Sequence, residues 1–239
     1  MIEMHGLSKI FRTDTIETHA LKRFELRVER GDFLAVTGPS GSGKTTFLNV
    51  AGLLEEFTSG RYVLDGEDVS RLTDNQRSRI RNEKLGFIFQ SFNLIPDLDL
   101  YDNVDVPLRY RRMSAPERRR RITAALETVG LASRMKHVPA QLSGGQQQRA
   151  AIARALAGDP CVILADEPTG NLDTTMSGQI MDLLEEIHAR GTTIVMVTHN
   201  LELAARAGRH IEIIDGEITQ SLHKGGAPSP VRTASLPAA

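Results

Sequence analysis

The sequence of 239 residues predicts an α/β fold in which helices cover the faces of a sheet. Short apolar segments alternate with segments typical of helices, which favours a layered arrangement. Two of the apolar segments, Cys161–Ala165 and Thr193–Val197, are apolar on both alternating faces. This pattern is expected of strands buried inside a parallel sheet. A third, Phe33–Thr37, leads directly into a glycine-rich segment.

The other predicted strands are shorter or less regular. Phe24–Val28 alternates apolar and polar residues, as a half-buried strand does, and Leu85–Phe89 is an apolar strand. Two Asp-Gly dipeptides indicate tight hairpin turns. One follows Tyr62–Leu64, and the other joins Ile211–Ile214 to Glu217–Gln220.

Helices and loops are predicted for the region between the strands at 85–89 and 161–165. We find no convincing strand from Ser91 to Ala157, and we expect a separate helical subdomain there. Capping-box patterns begin at Thr73 and Ser114, each with Gln or Glu three residues later. Pro116 falls in a first helical turn, where its missing N–H does no harm.

Composition and charge narrow the class of protein. Hydrophobic residues make up 40% and charged residues 25% of the chain, as in ordinary globular proteins, and the net charge of −1 argues against a nucleic-acid coating protein. One cysteine allows no internal disulfide. The first residues do not resemble a signal peptide, and no apolar run approaches ~18 residues, so we expect no membrane span. The end of the chain has too little apolar content to pack, and we expect a flexible tail at 223–239.

A phosphate-binding loop is the first chemical motif. The segment Gly38–Thr45 fits the pattern G-x-x-x-x-G-K-[ST]. Its backbone N–H groups and the N-terminus of the helix that follows are suited to binding an anion. Lys44 would contact the β- and γ-phosphates, and Thr45 would ligate Mg²⁺. The alternative is a chance match of a Gly/Ser-rich loop. The predicted ATP-binding residues of this segment are Gly38, Pro39, Ser40, Gly41, Ser42, Gly43, Lys44, Thr45 and Thr46.

An acidic pair follows the apolar strand at 161–165. Parallel strands bring their carboxyl ends to one edge, so we expect Asp166 and Glu167 to lie beside the phosphate-binding loop. Asp166 can hold Mg²⁺ through water, and Glu167 can orient or deprotonate the attacking water. The alternative is a solvated acidic pair at a strand end.

A second anion site is predicted at Leu142–Gln146. Ser143 is a candidate N-cap, and Gly144 and Gly145 allow close approach to a phosphate at a helix start, next to Gln146. Because one helix N-terminus already serves the phosphates, this second site is expected to face a nucleotide on a partner protomer docked head to tail. The alternative is an ordinary glycine-rich helix entry.

Three long motifs resemble the ATP-binding subunit of ABC transporters, and the resemblance extends from about residue 2 to residue 220. They are Gly86–Pro96, Leu142–Arg149 and Ala165–Asp173, and they are most similar to the subgroup of lipoprotein-release and macrolide-export ATPases. The resemblance implies a P-loop NTPase core with a mixed sheet, an N-terminal antiparallel β subdomain and an inserted α-helical subdomain. The implied domain of residues 1–222 comprises a RecA-like core at 1–90 and 158–222 and the helical subdomain at 91–157.

The resemblance also implies roles for four further residues. Gln90 matches the Q-loop glutamine that contacts Mg²⁺ and the attacking water. His199 matches the switch histidine at the γ-phosphate, and Asp173 matches the D-loop aspartate that reaches across the dimer. Phe11 stands where the family has an aromatic residue that stacks on adenine. Each of these residues also has an ordinary structural explanation. Gln90 would be a polar residue that ends a strand, and His199 would have a structural role. Asp173 would be the N-cap of the following helix, and Phe11 would pack against its local neighbours.

The implied function is ATP hydrolysis with Mg²⁺ in a head-to-tail homodimer. The dimer would act on a separate integral membrane permease at the cytoplasmic face of the inner or plasma membrane, and export or extract a hydrophobic, lipid-linked or antimicrobial compound. An alternative is mechanical signalling to cell-wall or division machinery through a membrane partner. A DNA-associated role is weaker, since no heptads or cysteine cluster separate Lys44 from Leu142. We expect no nucleic-acid partner.

Overall fold

The computed structural model describes residues 1–13 and 15–223, and within them the chain forms two sheets and seven helices. The first sheet is antiparallel, with strand order β2-β1-β4-β5. Its strands are β1 (Ile2–Arg12), β2 (Glu17–Val28), β4 (Ser59–Leu64) and β5 (Glu67–Asp68). This is the N-terminal antiparallel β subdomain that the sequence predicts.

The second sheet is mixed and has the strand order β10-β9-β3-β8-β7-β6. Strands β9, β3, β8, β7 and β6 are parallel, and β10 pairs with β9 in the antiparallel sense. The α/β fold class is therefore confirmed. The strands are β3 (Phe33–Thr37), β6 (Leu85–Ile88), β7 (Val162–Asp166), β8 (Thr193–Val197), β9 (Arg209–Ile214) and β10 (Glu217–His223).

The helices connect these strands, and the three between β6 and β7 pack on one another. No strand occurs between residues 89 and 161, all of which the structure describes, as the sequence predicts. No helix in the described part of the chain is long and apolar enough to span a membrane. The helices are α1 (Lys44–Ala51), α2 (Asp74–Lys84), α3 (Leu100–Arg109), α4 (Ala115–Thr128), α5 (Gly144–Leu156), α6 (Thr174–Ala189) and α7 (Leu201–Ala204), with short 3-10 turns at Ala132–Arg134 and Pro139–Gln141.

The central strands are buried on both faces, and their side chains divide between two cores. In β3, Phe33 and Ala35 join the core beneath the helices α3–α6, whereas Leu34 and Val36 join the core beneath α1 and the antiparallel sheet. The same alternation holds for β7 and β8. Successive side chains of a strand point to opposite faces, so a strand covered on both sides must be apolar throughout. Burial on both faces holds the central strands in place, and the loops with the candidate site residues follow the carboxyl ends of these parallel strands.

The local turn and cap signals are confirmed, with one exception. Both Asp-Gly hairpin turns have positive φ at their two central residues: 51° and 78° at Asp65 and Gly66, 49° and 81° at the second turn. Thr73 forms a complete capping box with Gln76. Ser114 caps α4 through Glu117 N–H, but the Glu117 side chain binds Arg120 and Arg121 instead of returning to the cap.

The sequence analysis did not predict β1, and it placed the start of β2 at residue 24. Inward-facing residues of β1 are Ile2, Met4, Leu7 and Lys9, so the period of two is broken between Met4 and Leu7. Gly6 lies in that interval with φ of 56°, and the pairing with β2 shifts register there. An irregularity of this kind hides a strand from a simple alternation test. The predicted tail at 223–239 lies outside the described residues from 224 onwards.

Candidate functional site

The phosphate-binding loop joins β3 to α1, and its shape requires glycine at two positions. Gly38 has φ of 144°, and a Cβ there would lie 2.0 Å from the carbonyl oxygen of Ile213. Gly43 has φ of 106°, and its Cβ would lie 2.4 Å from the carbonyl oxygen of Ala20. The loop is thus pressed against β9 and β2, and α1 begins immediately after it at Lys44. Its backbone is placed to present N–H groups to an anion.

Two side chains of this loop are held ready for a ligand. Lys44 Nζ donates to the carbonyl oxygens of Gly38 and Pro39 at 2.8 and 2.7 Å, so its cation folds back over the loop. The hydroxyl of Ser42 is buried and has no hydrogen-bond partner among the described residues. An unpartnered buried hydroxyl is costly, and a phosphate oxygen would satisfy it. Thr45 and Thr46 occupy the first turn of α1.

The acidic pair lies at the carboxyl end of β7. Strand β8 separates β7 from β3, which carries the phosphate-binding loop. Burial raises the pKa of Asp166, the negative charge of Glu167 raises it further, and the positive charge of Lys44 opposes both. The opposite charges of Asp166 and Lys44 are thus close enough to interact, although Lys44 Nζ bonds to the carbonyls of Gly38 and Pro39 and not to Asp166.

Glu167 has an unusual backbone and an incompletely satisfied carboxylate. Its φ is 46°, and its N–H donates to the carbonyl of Val197 at the end of β8. Its Oε1 lies 2.9 Å from Nδ1 of His199, whereas its Oε2 is buried without a hydrogen-bond partner among the described residues. His199 follows β8, and its side chain is 74% exposed, against 15% for Glu167. One carboxylate oxygen is thus fixed by the histidine, and the other is available to a further polar molecule.

Gln90 follows β6 at the edge of the sheet, and its side chain lies against the loop that follows Glu167. Its Nε2 donates to Oδ1 of Asn171 at 3.3 Å, and Asn171 Nδ2 donates to the Gln90 carbonyl at 2.9 Å. The strand ends of β6 and β7 therefore hold Gln90 and Glu167 in neighbouring loops. Asn171 was not singled out in the sequence analysis, although it lies within the motif at 165–173.

Ser143 and Asp173 each cap a helix, and the two helices lie side by side. Ser143 caps α5 in a reciprocal pair with Gln146, and Asp173 Oδ1 accepts from Met176 N–H at 2.9 Å at the start of α6. A Cβ on Gly145 would lie 2.0 Å from Cε of Met176, so the helix starts are in close contact. Ser143 and Asp173 are exposed, and Gly144 and Gln146 are partly exposed, so these four residues share one surface, whereas Gly145 is buried against Met176 and is not exposed there.

That surface lies away from the phosphate-binding loop of the same chain. Helix α5 packs on β6, whereas the loop follows β3, and β7 and β8 lie between these two strands. Neighbouring strands are about 4.8 Å apart, which separates β3 from β6 by about 14 Å. The hydrogen bonds given for Ser143 in the described structure are with Gln146 and not with the loop, so the two candidate anion sites are separate within the chain.

Phe11 lies on β1, and its ring is available for stacking. The residue is 41% exposed, and Nζ of Lys9 lies 4.6 Å from the ring centroid. Phe11 pairs with Thr18 on β2, two residues before Ala20, whose carbonyl contacts the phosphate-binding loop at Gly43. The aromatic face is therefore on the same side of the molecule as the loop.

The oxygen donors at this edge of the sheet suit a magnesium ion. The Thr45 hydroxyl, the Asp166 carboxylate and the Gln90 amide oxygen are hard ligands of the type that Mg²⁺ binds together with substrate phosphates and water. Asp166 is half-buried beside Glu167, so a cation would relieve the repulsion between the two carboxylates. The described residues contain no group of three or more His, Cys, Asp or Glu side chains that could hold a metal by themselves.

Comparison with known proteins identifies this set of motifs. A family model described as ABC transporter matches residues 21–170, which is more than half of the chain. The chain belongs to the ABC transporter family. Its enzyme class is that of an ABC-type ATPase, as the sequence predicts.

Relatives of the cassette include both single proteins and larger fusions. It is 47% identical over 218 residues to the ABC transporter ATP-binding protein YvrO of Bacillus subtilis, covering 91% of this chain and 95% of that protein. It is 45% identical over 218 residues to the macrolide export ATP-binding/permease protein MacB of Hyphomonas neptunium, covering 91% of this chain and 34% of that protein. The cassette thus spans about a third of the MacB length.

A solved structure resembles the cassette over nearly its whole length. It is a dimeric ATP-binding cassette in a post-hydrolysis state bound to ADP and Pi. The TM-score is 0.85 and the identity is 41%, with 95% of this chain and 100% of that chain covered. The P-loop NTPase fold with a mixed sheet is therefore confirmed.

Helix α5 also carries contacts that the sequence analysis missed. Gln148 Nε2 donates to the Pro168 carbonyl in the loop after Glu167 at 2.5 Å, and Gln148 is fully buried. Arg154 Nη2 donates to the Phe92 carbonyl in the loop after Gln90 at 2.8 Å. The cassette thus ties the Ser143 helix to both loops at the sheet edge. Backbone carbonyls are invisible in a sequence, so only the position of Gln148 within the motif at 142–149 signalled its importance.

Proposed function

We propose that this chain is the ATP-hydrolysing subunit of an ABC transporter, that it works as a head-to-tail homodimer, and that it drives a separate membrane permease. The observation that carries the proposal is Glu167 at the end of β7. One of its oxygens is held by His199, and the other is buried without a hydrogen-bond partner among the described residues. A carboxylate in this state suits an attacking water.

The phosphates of ATP bind at residues 38–46, where Lys44 exchanges the carbonyls of Gly38 and Pro39 for the β- and γ-phosphate oxygens. The family implies Mg²⁺, and Thr45, Asp166 and Gln90 would hold it, where its charge would stabilise the phosphate oxygens. Phe11 offers its ring to adenine.

Hydrolysis then depends on Glu167 and His199. The free Oε2 of Glu167 orients the attacking water and accepts its proton, and the water oxygen bonds to the γ-phosphorus as the bond to the β-phosphate oxygen breaks. His199 keeps Glu167 in place through Nδ1 and presents its exposed ring edge to the γ-phosphate. The products are ADP and inorganic phosphate.

The separation of the two anion sites supports a head-to-tail dimer. Two copies related by a two-fold axis would place Ser143–Gln146 of each over the nucleotide bound at the loop of the other. Asp173, which lies beside Ser143, would reach across the same interface. The dimeric cassettes among the structural relatives support this arrangement.

A groove between the helical subdomain and the core is the proposed seat of the permease. Its volume is about 640 Å³, and its lining includes Phe87, Phe89, Tyr110 and Leu54. Tyr110 is 82% exposed and Leu54 is 48% exposed, and because both line the same groove they contribute to a shared apolar patch of the kind that marks an interaction site. Phe89 directly precedes Gln90, so a segment bound there adjoins the nucleotide site. The occupant is a short cytoplasmic segment of the permease with an apolar face.

The proposed membrane location and the proposed cargo both depend on the permease as the partner. Relatives in which an ATP-binding part and a permease part form one protein support coupling to a permease at the cytoplasmic face of the inner or plasma membrane. Export or extraction of a hydrophobic, lipid-linked or antimicrobial compound is the proposed transport reaction. No nucleic-acid partner is proposed.

The decisive experiment uses Glu167→Gln, tagged and expressed with the native membranes. ATP is added, the membranes are solubilised gently, and the copurifying proteins are identified by mass spectrometry. Recovery of a permease with a large extracytoplasmic domain supports transport or cell-wall signalling, and the domain distinguishes the two. Recovery of DNA-associated or ribosomal proteins without a permease would refute the membrane role.

A pair of groove variants sharpens the same experiment. Tyr110→Glu in the Glu167→Gln background places a charge in the apolar groove and should abolish recovery of the permease. Ile16→Glu changes another exposed apolar residue, 64% exposed, outside the groove and should leave recovery intact. Equal recovery with both variants would remove the groove from the interface.

A further inference from the structure

We propose that Asn171 is a positioning residue that orients the side-chain amide of Gln90 so that its oxygen faces the cation. This inference rests on the proposed function, in which Gln90 is a magnesium ligand. Asn171 has no assigned role, and it lies in the loop between Glu167 and α6. It touches Gln90 at two points, and these two contacts carry the argument.

The two contacts are complementary in polarity. Asn171 Oδ1 accepts from Nε2 of Gln90 at 3.3 Å, and its Nδ2 donates to the Gln90 backbone carbonyl at 2.9 Å. The backbone carbonyl oxygen of Gln90 can only accept a hydrogen bond, so the Nδ2 end of the Asn171 amide must face it. The remaining oxygen of Asn171 then selects the nitrogen of the Gln90 amide, and Oε1 of Gln90 is left for another partner.

A glycine supports the Gln90 side chain along its length. A Cβ on Gly170 would lie 2.8 Å from Nε2, 3.0 Å from Cδ and 3.2 Å from Cγ of Gln90. The side chain therefore lies flat on the backbone of the loop. That loop is itself held, since Gly170 N–H donates to the Glu167 carbonyl at 3.0 Å and Leu172 N–H donates to the Thr169 carbonyl at 3.0 Å.

The backbone after Gln90 is fixed from the other side. Arg154 on α5 is largely buried and donates to the carbonyls of Phe92 and Asn93. With the backbone held, the orientation of the amide is the principal freedom left to Gln90. Without Asn171 the amide could present either nitrogen or oxygen to a cation, and only oxygen is a ligand for Mg²⁺. Residues that orient a metal ligand in this way commonly change metal affinity by ~10- to 100-fold when replaced.

The test measures ATP affinity at equilibrium, with and without Mg²⁺, in the Glu167→Gln background, so that no turnover is needed. Asn171→Leu has a similar volume and removes both hydrogen bonds. We expect the gain in ATP affinity produced by Mg²⁺ to fall by ~10-fold, with the affinity for ATP alone unchanged. Ser91→Ala, next to Gln90 on the chain, is the matched control and should keep the full gain.

The double variant separates positioning from a structural effect. Gln90→Ala should reduce the magnesium-dependent gain by itself, and Asn171→Leu should then add nothing, because it acts only through the Gln90 amide. The inference would be overturned if Asn171→Leu reduced the Mg²⁺-dependent gain in ATP affinity as much in the Gln90→Ala variant as it does with Gln90 present. It would also be overturned if Asn171→Leu alone kept the full Mg²⁺-dependent gain. A full gain in Gln90→Ala would instead refute the proposed metal role of Gln90. If Asn171→Leu does not fold, Asn171→Ala removes the same two bonds without a branched side chain and is judged by the same outcomes.

Discussion

Nδ1 of His199 lies 2.9 Å from Oε1 of Glu167, and the contact joins two neighbouring strand ends of the mixed sheet. Glu167 also bonds through its N–H to the Val197 carbonyl, two residues before His199. Backbone and side chain therefore fix the same pair of loops. The arrangement leaves Oε2 of Glu167 as the buried, unpartnered oxygen, and this gives the carboxylate a defined direction.

Replacing His199 should impair turnover more than binding. His199→Ala frees Oε1 of Glu167 and removes a polar contact for the γ-phosphate, so we expect kcat to fall by ~10²-fold, with ATP affinity within a few-fold of the original. Steady-state hydrolysis and equilibrium binding of ATP give the two quantities. His5→Ala changes an exposed histidine of the antiparallel sheet and is the control. Unaltered kcat in His199→Ala would remove the histidine from the reaction.

A large cation in place of the Ser143 hydroxyl should prevent dimer closure. Ser143 is the N-cap of α5, and in the proposed head-to-tail dimer it would lie over the phosphates bound to the partner protomer. Ser143→Arg should therefore bind ATP normally but lose more than 90% of hydrolysis, and in the Glu167→Gln background it should stay monomeric with ATP in size-exclusion chromatography. Ser114→Arg changes another N-cap serine on α4 and controls for loss of a cap. Undiminished hydrolysis in Ser143→Arg would contradict the proposed dimer.

We expect the charged side chain of Asp166 to destabilise the folded protein when no ligand is bound. Burial and the adjacent charge of Glu167 raise its pKa, which means that the folded protein disfavours its charged form. Asp166→Asn should therefore raise the thermal midpoint of the nucleotide-free protein at pH 7 but abolish the further rise that MgATP produces. Asp68 gives the opposite case, because its hydrogen bond to Arg61 lowers its pKa to about 2. Asp68→Asn should not raise the midpoint and should keep the response to MgATP.

The fold and much of the site could be predicted because their signals are local. Strands β3, β7 and β8 are apolar on both faces, the hairpin turns carry Asp-Gly, and the loop before Lys44 has a fixed spacing of glycines. Strand β1 was missed because its irregularity at Gly6 breaks the period of two. Lys9 adds to the difficulty, since a charged residue occupies an inward position and is accommodated by its ion pair with Glu55.

Contacts made through backbone carbonyls could not be predicted in the same way. Asn171, Gln148 and Arg154 all bond to carbonyls of loops distant in sequence, and every residue type offers a carbonyl. Their partners are decided by the packing of α5 and the loop after β7, which is a tertiary property. The sequence therefore indicates candidate nucleotide-binding residues more readily than it indicates the residues that hold those candidates in position.

A buried tyrosine should stabilise helix α1, which begins at Lys44. The hydroxyl of Tyr62 on β4 is fully buried and donates to the carbonyl of Ala51, the last residue of α1, at 2.8 Å. Carbonyls in the last turn of a helix have no partner within the helix. Tyr62→Phe would leave this one buried and unsatisfied, and we expect the free energy of unfolding to fall by about 1–2 kcal/mol at pH 7. Denaturant unfolding measures the change, and kcat should stay within twofold, because the hydrogen bonds of Tyr62 outside its strand pairing are with Ala51, Val69 and Ser70 and not with the loop at 38–46.

The pH dependence of this change has a definite sign. Burial raises the pKa of Tyr62 well above its ordinary value, so the folded protein keeps the proton that the unfolded chain loses near pH 10. The stabilisation by Tyr62 is therefore complete below about pH 10 and declines as the pH rises above it. The difference between the original protein and Tyr62→Phe should shrink accordingly between about pH 9 and 11. Tyr110→Phe, at an exposed position, should behave like the original protein at every pH, and a constant difference for Tyr62→Phe across this range would contradict the role given to the buried hydroxyl.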